Sequence, residues 1–266
     1  MNNKKKLILT MMLAVLLVCL FPSQVNAKAK LKKLKLNTTY KSYDVTRDGK
    51  KDTVKVKQIK KYATDQQNVI KIYVNGSAVI TVREGIGANM YMFSNGKKGI
   101  IISSVYFGDG GTTCYAYNYK SKKFKKMTLS SGKEQTFHNT VSRSGNKLKL
   151  VSSPKGGWWL DSFSNFSEMP FEYVETFKLS KGLLVREQDY ADVQGTTTLT
   201  ARSSFKTGQT IQSVILSDGV SVSSRERVTF KRVKFVKSGS YHAVYFYIET
   251  ANGSGWFQDS KSIQFY

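Results

Sequence analysis

The run VIKIYVNGSAVITV, residues 69–82, decides the fold class. Ile70, Ile72 and Val74 alternate with Lys71 and Tyr73, the chain meets Asn75-Gly76, and apolar residues return from Val79 to Val82. A period of two puts one set of side chains on one face of a strand. Asn-Gly supplies two residues that tolerate positive φ, which a tight turn between right-twisted strands requires. The segment therefore predicts a β-hairpin with an apolar inner face.

The same period extends outward on both sides. Val54 and Val56 alternate with Lys55 and Lys57; residues 100–102 and 105–107 form an apolar strand ending at Gly108-Asp109-Gly110-Gly111. Residues 113–119 put Tyr115, Tyr117 and Tyr119 on one face and Cys114 and Ala116 on the other. Strands follow at 147–151, 171–179 and 183–186, and no 3.6-residue stripe competes with them. The expected class is all-β: a propeller-like or sandwich-like antiparallel domain over residues 38–192, then a linker rich in Thr, Ser, Gly and Gln at 193–198. Residues 199–266, with strands at 211–216, 228–236 and 241–248 and a turn at Asn252-Gly253, predict a small barrel.

Composition bounds the function. The 266 residues carry 42 Lys and Arg against 18 Asp and Glu, a net +24, yet are 40% hydrophobic and 12% aromatic. That is too apolar for a disordered polycation. Lys4, Lys5 and Lys6 precede an apolar run over 7–21 broken only by Thr10, then Ser23, Gln24 and Asn26 before Ala27. This reads as a secretory signal cut after Ala27, with Ala29 offering a second site; the run is too short to span a bilayer. Without residues 1–27 the charge is +21, and no later stretch predicts a transmembrane segment. Residues 28–37, rich in Lys and Leu, read as a basic tail. Cys114 is then the one thiol left, expected as a small buried side chain. Two His and one thiol do not make a zinc or cysteine-nucleophile site.

Three stretches carry candidate chemistry. Asp44-Val45-Thr46-Arg47-Asp48-Gly49-Lys50-Lys51-Asp52 runs straight into a strand at Thr53. Oxygen ligands at alternate positions, a Gly for the sharp turn and a later carboxylate suit a hard cation such as calcium. An Asx/Gly turn with no ion accounts for the same residues. The loop is no EF-hand, because Lys55 stands at its twelfth position. Residues 156–172 hold Trp158 and Trp159 with Phe163, Phe166 and Phe171, and the carboxylates Asp161, Glu168 and Glu172. They suit a hydrophobic plug, a glycan or partner contact, or the acid–base pair of a glycosidase. Tyr245 and Tyr247 share a strand face, and Trp256 suits either a core or a contact surface. No Gly-x-Ser-x-Gly, His-Glu-x-x-His or Walker loop is present.

The Asp44–Asp52 stretch resembles the calcium loop of FG-GAP or VCBS-type repeats, Asp-x-(Asp/Asn)-x-Asp-Gly-x-x-Asp before a strand. The resemblance implies Asp44, Asp48 and Asp52 as ligands of calcium, with Thr46 where a carboxylate or amide is usual. Leu199-Thr200-Ala201-Arg202, Gly208-Gln209-Thr210-Ile211 and Asn252-Gly253-Ser254-Gly255-Trp256-Phe257 resemble bacterial SH3-like domains of secreted and cell-wall proteins. That resemblance implies a small barrel and, in some members, binding of peptidoglycan through residues such as Trp256. The expected function is a secreted, non-enzymatic protein of a Gram-positive-type envelope, retained by anionic cell-wall polymer or recognising peptidoglycan. The rivals are a glycan hydrolase using carboxylates near Trp158 and Trp159, and a module that recognises an extracellular protein partner. Nucleic acid ranks lower, since no known basic nucleic-acid fold is visible and export is expected.

Overall fold

The structure, a computed structural model, describes residues 28–61, 68–83, 85–107, 111–129, 138–153, 171–201, 204–208, 210–211, 214–215, 219–238 and 241–258. Twenty-one strands and no helix are found among them. The first nine are β1 (Lys30–Leu34), β2 (Thr38–Tyr43), β3 (Asp52–Lys60), β4 (Val69–Val74), β5 (Ser77–Val82), β6 (Gly87–Asn95), β7 (Lys98–Tyr106), β8 (Thr112–Lys120) and β9 (Lys123–Thr128). They form two antiparallel sheets, an outer one of order β2-β3-β4-β5 and a central one of order β1-β6-β7-β8-β9. Next come β10 (His138–Ser144), β11 (Lys147–Ser153), β12 (Tyr173–Ser180), β13 (Leu183–Arg186) and β14 (Ala191–Thr200). The chain ends in β19 (Arg227–Ser238), β20 (Tyr241–Thr250) and β21 (Gly253–Gln258). These eight strands make one antiparallel sheet, β10-β11-β12-β14-β19-β20-β21, with β13 also beside β12. Between β14 and β19 lie two short pairs: β15 (Phe205–Lys206) with β18 (Ser221–Val222), and β16 (Thr210–Ile211) with β17 (Val214–Ile215).

The residues 69–82 hairpin forms as its pattern requires. Ile70, Ile72 and Val74 are buried, and Asn75 and Gly76 take φ of 51° and 85° at the turn. Its inner face packs on Met90, Met92, Ile101, Val105, Tyr115 and Tyr117 of the central sheet. The opposite face of that sheet, with Phe93, Ile100, Ile102, Cys114 and Ala116, packs on Leu148, Leu150, Phe177 and Leu184 of the eight-stranded sheet. The central sheet is thus covered on both sides, which explains why β7 reads as a nearly continuous apolar run rather than an alternation. Each large side chain removed from water there, such as Ile101 or Met92, stabilises the fold by roughly 1.5–3 kcal/mol. A third core lies farther along the eight-stranded sheet, where Phe230, Phe246 and Phe257 stack with Phe171.

Glu175 and Arg186 stand between the second and third cores. Tyr173, Glu175 and Phe177 share one face of β12; Tyr173 belongs to the third core and Phe177 to the second. Glu175 is fully buried and pairs with the Arg186 guanidinium, which also donates to Leu129 O at 2.8 Å and lies over the Phe177 ring. A buried carboxylate is tolerated only with such a partner.

The fold is all-β and built of stacked antiparallel sheets, as the sequence predicts. Four expectations change. Residues 30–34, expected within a basic tail, form β1 against β6, with Ala29 and Leu34 buried. Residues 193–198, expected as a linker, lie inside β14, where pairing with β19 skips from Asp192 to Thr197 and Gly195 has a φ of 77°. The Thr- and Gly-rich composition marks a bulge in a continuous strand. The small barrel does not close among the described residues: β14 pairs β12 on one edge and β19 on the other, so β19, β20 and β21 extend the sheet. The strand expected over 211–216 is represented by β16 and β17, which pair with each other.

Both edges of the central sheet are lysine-rich: β1 reads KLKKL and β9 reads KFKKMT. Lysine on an edge opposes pairing with another chain's strand.

Candidate functional site

The loop between β2 and β3 is organised by its last carboxylate. Asp52 is buried, and its Oδ2 accepts from the backbone N–H of Val45 at 2.7 Å and of Thr46 at 2.8 Å. Its Oδ1 accepts from Asn75 Nδ2 at 2.6 Å, and the Thr46 hydroxyl lies at 3.0 and 3.1 Å from the two oxygens. Asp44 Oδ2 accepts from Gly49 N, and Asp48 Oδ1 from Lys50 N. Arg47 and Gly49 take the positive φ values, 63° and 85°, that fold the loop back.

The loop touches all three large sheets. Asp44 N donates to Lys97 O and Asp44 O accepts from Gly99 N, both in the β6–β7 hairpin; Asp52 gathers the outer sheet through Asn75; Arg47 lies over Gly182 at the β12–β13 turn. Burial pulls the Arg47 guanidinium below its ordinary pKa, and the Asp44 carboxylate draws it back up. The three guanidinium nitrogens and Asp44 Oδ1 are buried without a hydrogen-bond partner.

Of the residues the calcium-loop resemblance implies, Thr46 meets Asp52, while Asp44 and Asp48 accept from Gly49 N and Lys50 N; both Asp52 oxygens are committed, and Asp44 Oδ1 is not. Holding a calcium ion through Asp52 would mean giving up bonds from Asn75, Thr46 and Val45, beside a buried cation that opposes it electrostatically. As placed, Asp52 is not free to take that ion. No group of three or more His, Cys, Asp or Glu side chains is positioned to share a metal among the described residues.

Tyr245, Tyr247 and Trp256 do meet. They stand on the face of β20 and β21 opposite the Phe246 core, with Tyr247 directly across from Trp256 and their rings 5.4 Å apart. Cross-strand pairing continues the row to Arg232 on β19 and Asp192 on β14. The Arg232 guanidinium lies 5.2 Å from the Tyr247 ring centre and 4.7 Å from that of Tyr190, so it has two aromatic rings within cation–π range. Trp256 is 9% exposed and Tyr245 5%; Tyr190 and Tyr247 are half-buried. Trp256 is therefore mainly packing, while Arg232 and the two half-buried rings form the accessible part. Tyr190 and Arg232 are absent from the sequence reading, because only strand register reveals them. Trp158, Trp159, Asp161 and Glu168 lie outside the described residues.

The distribution of charge is the sharpest feature of the surface. Residues 28–129 carry 22 Lys and Arg against 6 Asp and Glu, whereas residues 130–266 carry 17 against 12. The eight-stranded sheet and its loops pair several of their cations: Lys147 and Lys178 with Glu187, Lys231 with Glu249, Arg232 with Asp192 and Lys234 with Asp189. The outer sheet does not. The one carboxylate among its four strands is Asp52, which points inward, while Lys55, Lys57 and Lys71 face outward and make no ion pair with a described residue. Counting charge by segment would have exposed this asymmetry in the sequence.

Two grooves lie on this half of the molecule. One, about 310 Å³, is lined by Thr39, Thr53, Lys55, Lys57, Tyr73 and Gly76; the other, about 410 Å³, includes Asn75, Tyr119, Lys122, Lys123 and Phe124. A third, about 630 Å³, crosses the eight-stranded sheet between Lys147, Lys149, Glu187 and Asp192, so its walls carry both signs of charge.

Comparison with family models, with curated proteins and with solved structures returns no match. No helix among the described residues is long and apolar enough to cross a membrane.

Proposed function

We propose that this chain is an exported, non-catalytic binding protein held on an anionic polymer of the cell envelope by the cationic half formed by its outer and central sheets. The observation that carries the reading is the excess of 22 Lys and Arg over 6 Asp and Glu in residues 28–129, against 17 over 12 in residues 130–266, where several cations are ion-paired. A field of one sign over one half of a protein attracts an extended polyanion and weakens as salt screens it. The N-terminal sequence pattern supports export, and an envelope presents phosphate-rich polymer as the abundant counter-surface.

The test is sedimentation of residues 28–266 with bare cell-wall sacculi, with and without their anionic polymers, across a salt series. Binding that disappears with the polymer and with added salt is the expected result. Binding that survives both would replace charge-led retention by specific peptidoglycan recognition, and no binding at any salt concentration would overturn the reading.

A further inference from the structure

We infer that the outward face of the four-stranded sheet is the docking surface for that polymer, and that the polymer is a phosphodiester-linked polyol lying along β3. This rests on the envelope reading above and gives it a site. β3 presents Thr53, Lys55 and Lys57 on one face at about 6.8 Å intervals, twice the rise of an antiparallel strand. Lys57 stands across from Lys71 on β4, and Lys55 lies between Thr39 on β2 and Tyr73 on β4. The surface therefore repeats cations along the strand and sets hydroxyl groups beside them. A chain of alternating phosphates and polyols carries acceptors for the first and hydrogen-bonding partners for the second.

Two features favour a polyol phosphate over a nucleic acid. Tyr73 is the one aromatic ring lining the Lys55–Lys57 groove, whereas single-stranded nucleic-acid sites stack successive bases on several rings. The face is also open, with Lys55 and Lys57 exposed, so nothing encloses a base. The groove reaches the Asn75–Gly76 turn, and the second groove, with Lys122 and Lys123, begins at the same turn. A long chain leaving β3 at Gly76 thus meets further cations.

The experiment measures binding of the mature chain to poly(glycerol phosphate) over a salt series, comparing three triple variants. Lys55→Ser/Lys57→Ser/Lys71→Ser removes the face. Lys147→Ser/Lys178→Ser/Lys231→Ser removes the same charge from ion-paired positions. Lys55→Arg/Lys57→Arg/Lys71→Arg keeps the charge in place. The expected result is about a ten-fold loss at low salt for the first variant. Its log–log salt slope should become shallower by about 2, three contacts at roughly 0.7 each. The second should change affinity less than about three-fold, and the third should bind as the parent does, which separates loss of charge from loss of folding. Equal losses in the first two variants, or none in the first, would overturn the docking surface while leaving charge-led retention standing. Failure of the parent chain to bind poly(glycerol phosphate) at low salt would overturn the polyol phosphate as occupant, while the sacculus sedimentation decides the function separately. Tighter binding to single-stranded DNA at matched phosphate concentration would overturn the polyol assignment.

Discussion

The guanidinium of Arg47 rests on the backbone of Gly182, in the space where any other residue would carry its Cβ. Arg47 belongs to the β2–β3 loop of the outer sheet and Gly182 to a turn of the eight-stranded sheet, so this contact joins the two sheets that flank the central one. Gly182 is required twice: its φ is 82°, and the guanidinium fills its missing side chain's volume. Gly182→Ala should cost about 1–2 kcal/mol, most of it backbone strain because an arginine tip can move aside. In an Arg47→Ala background the same change should cost measurably less, read from urea midpoints as a double-mutant cycle. Strict additivity would mean that the contact does not form in solution.

Asp52 is the organiser of its loop by the same standard. Asp52→Ala removes an acceptor used by Val45, Thr46 and Asn75 and should destabilise by about 2–4 kcal/mol, since bonds to a charged group contribute about 1.5–3 kcal/mol each and part is regained from water. Calcium provides the counter-test. An ion bound by the folded loop must raise the melting temperature with concentration. The hydrogen-bonded loop predicts no shift up to millimolar calcium, and a saturable rise abolished by Asp44→Ala would establish the ion.

Arg186→Met leaves Glu175 buried without its cation and should cost about 3–5 kcal/mol. Glu175→Leu/Arg186→Met should recover much of that loss, because two apolar side chains replace the pair. Guanidinium denaturation of the two variants and the parent decides it; a double variant as unstable as the single one would show that the pair is needed as a pair.

Cys114 fixes an alkaline limit. Burial pushes its thiol up to about 12 from an ordinary 9.0, against a pull downward from Ser104. A raised folded-state value means the folded protein keeps its proton where the unfolded chain loses it. Stability from this group is therefore complete below about pH 9 and falls by up to about 1.4 kcal/mol per pH unit as pH rises toward 12. Tyr43, Tyr91 and Tyr245, raised chiefly by burial, act in the same direction. Cys114→Ala should lose less stability between pH 9 and 11 than the parent. Thiol labelling near neutral pH should be at least about 100-fold slower in the folded protein than in urea.

The sequence discloses what local pattern controls. Period two places Tyr115 and Tyr117 in one core and Cys114 and Ala116 in the other, and Asn75-Gly76 marks its turn. It does not disclose pairing between distant strands. β6 is missed because Gly87, Asn89, Ser94 and Asn95 interrupt its apolar residues and both its faces are covered, so alternation has no polar side to show. The expected barrel fails for a related reason: short alternating strands look alike whether they close or continue, and only the β12–β14 and β14–β19 registers decide. Of the candidate site, Tyr245 and Tyr247 were legible from strand parity, and Trp256 only from a motif near the chain's end. Arg232 and Tyr190 were not, because a long-range register brings them there.

The two lysine edges of the central sheet acquire a further meaning wherever the protein is concentrated. Molecules adsorbed side by side on a polymer come to local concentrations at which open strand edges would join neighbours into ribbons. On the polymer proposed above, β1 and β9 would repel their counterparts and keep adsorbed copies separate. Their surface density would then be set by mutual repulsion and rise with ionic strength, up to the point where salt also released them.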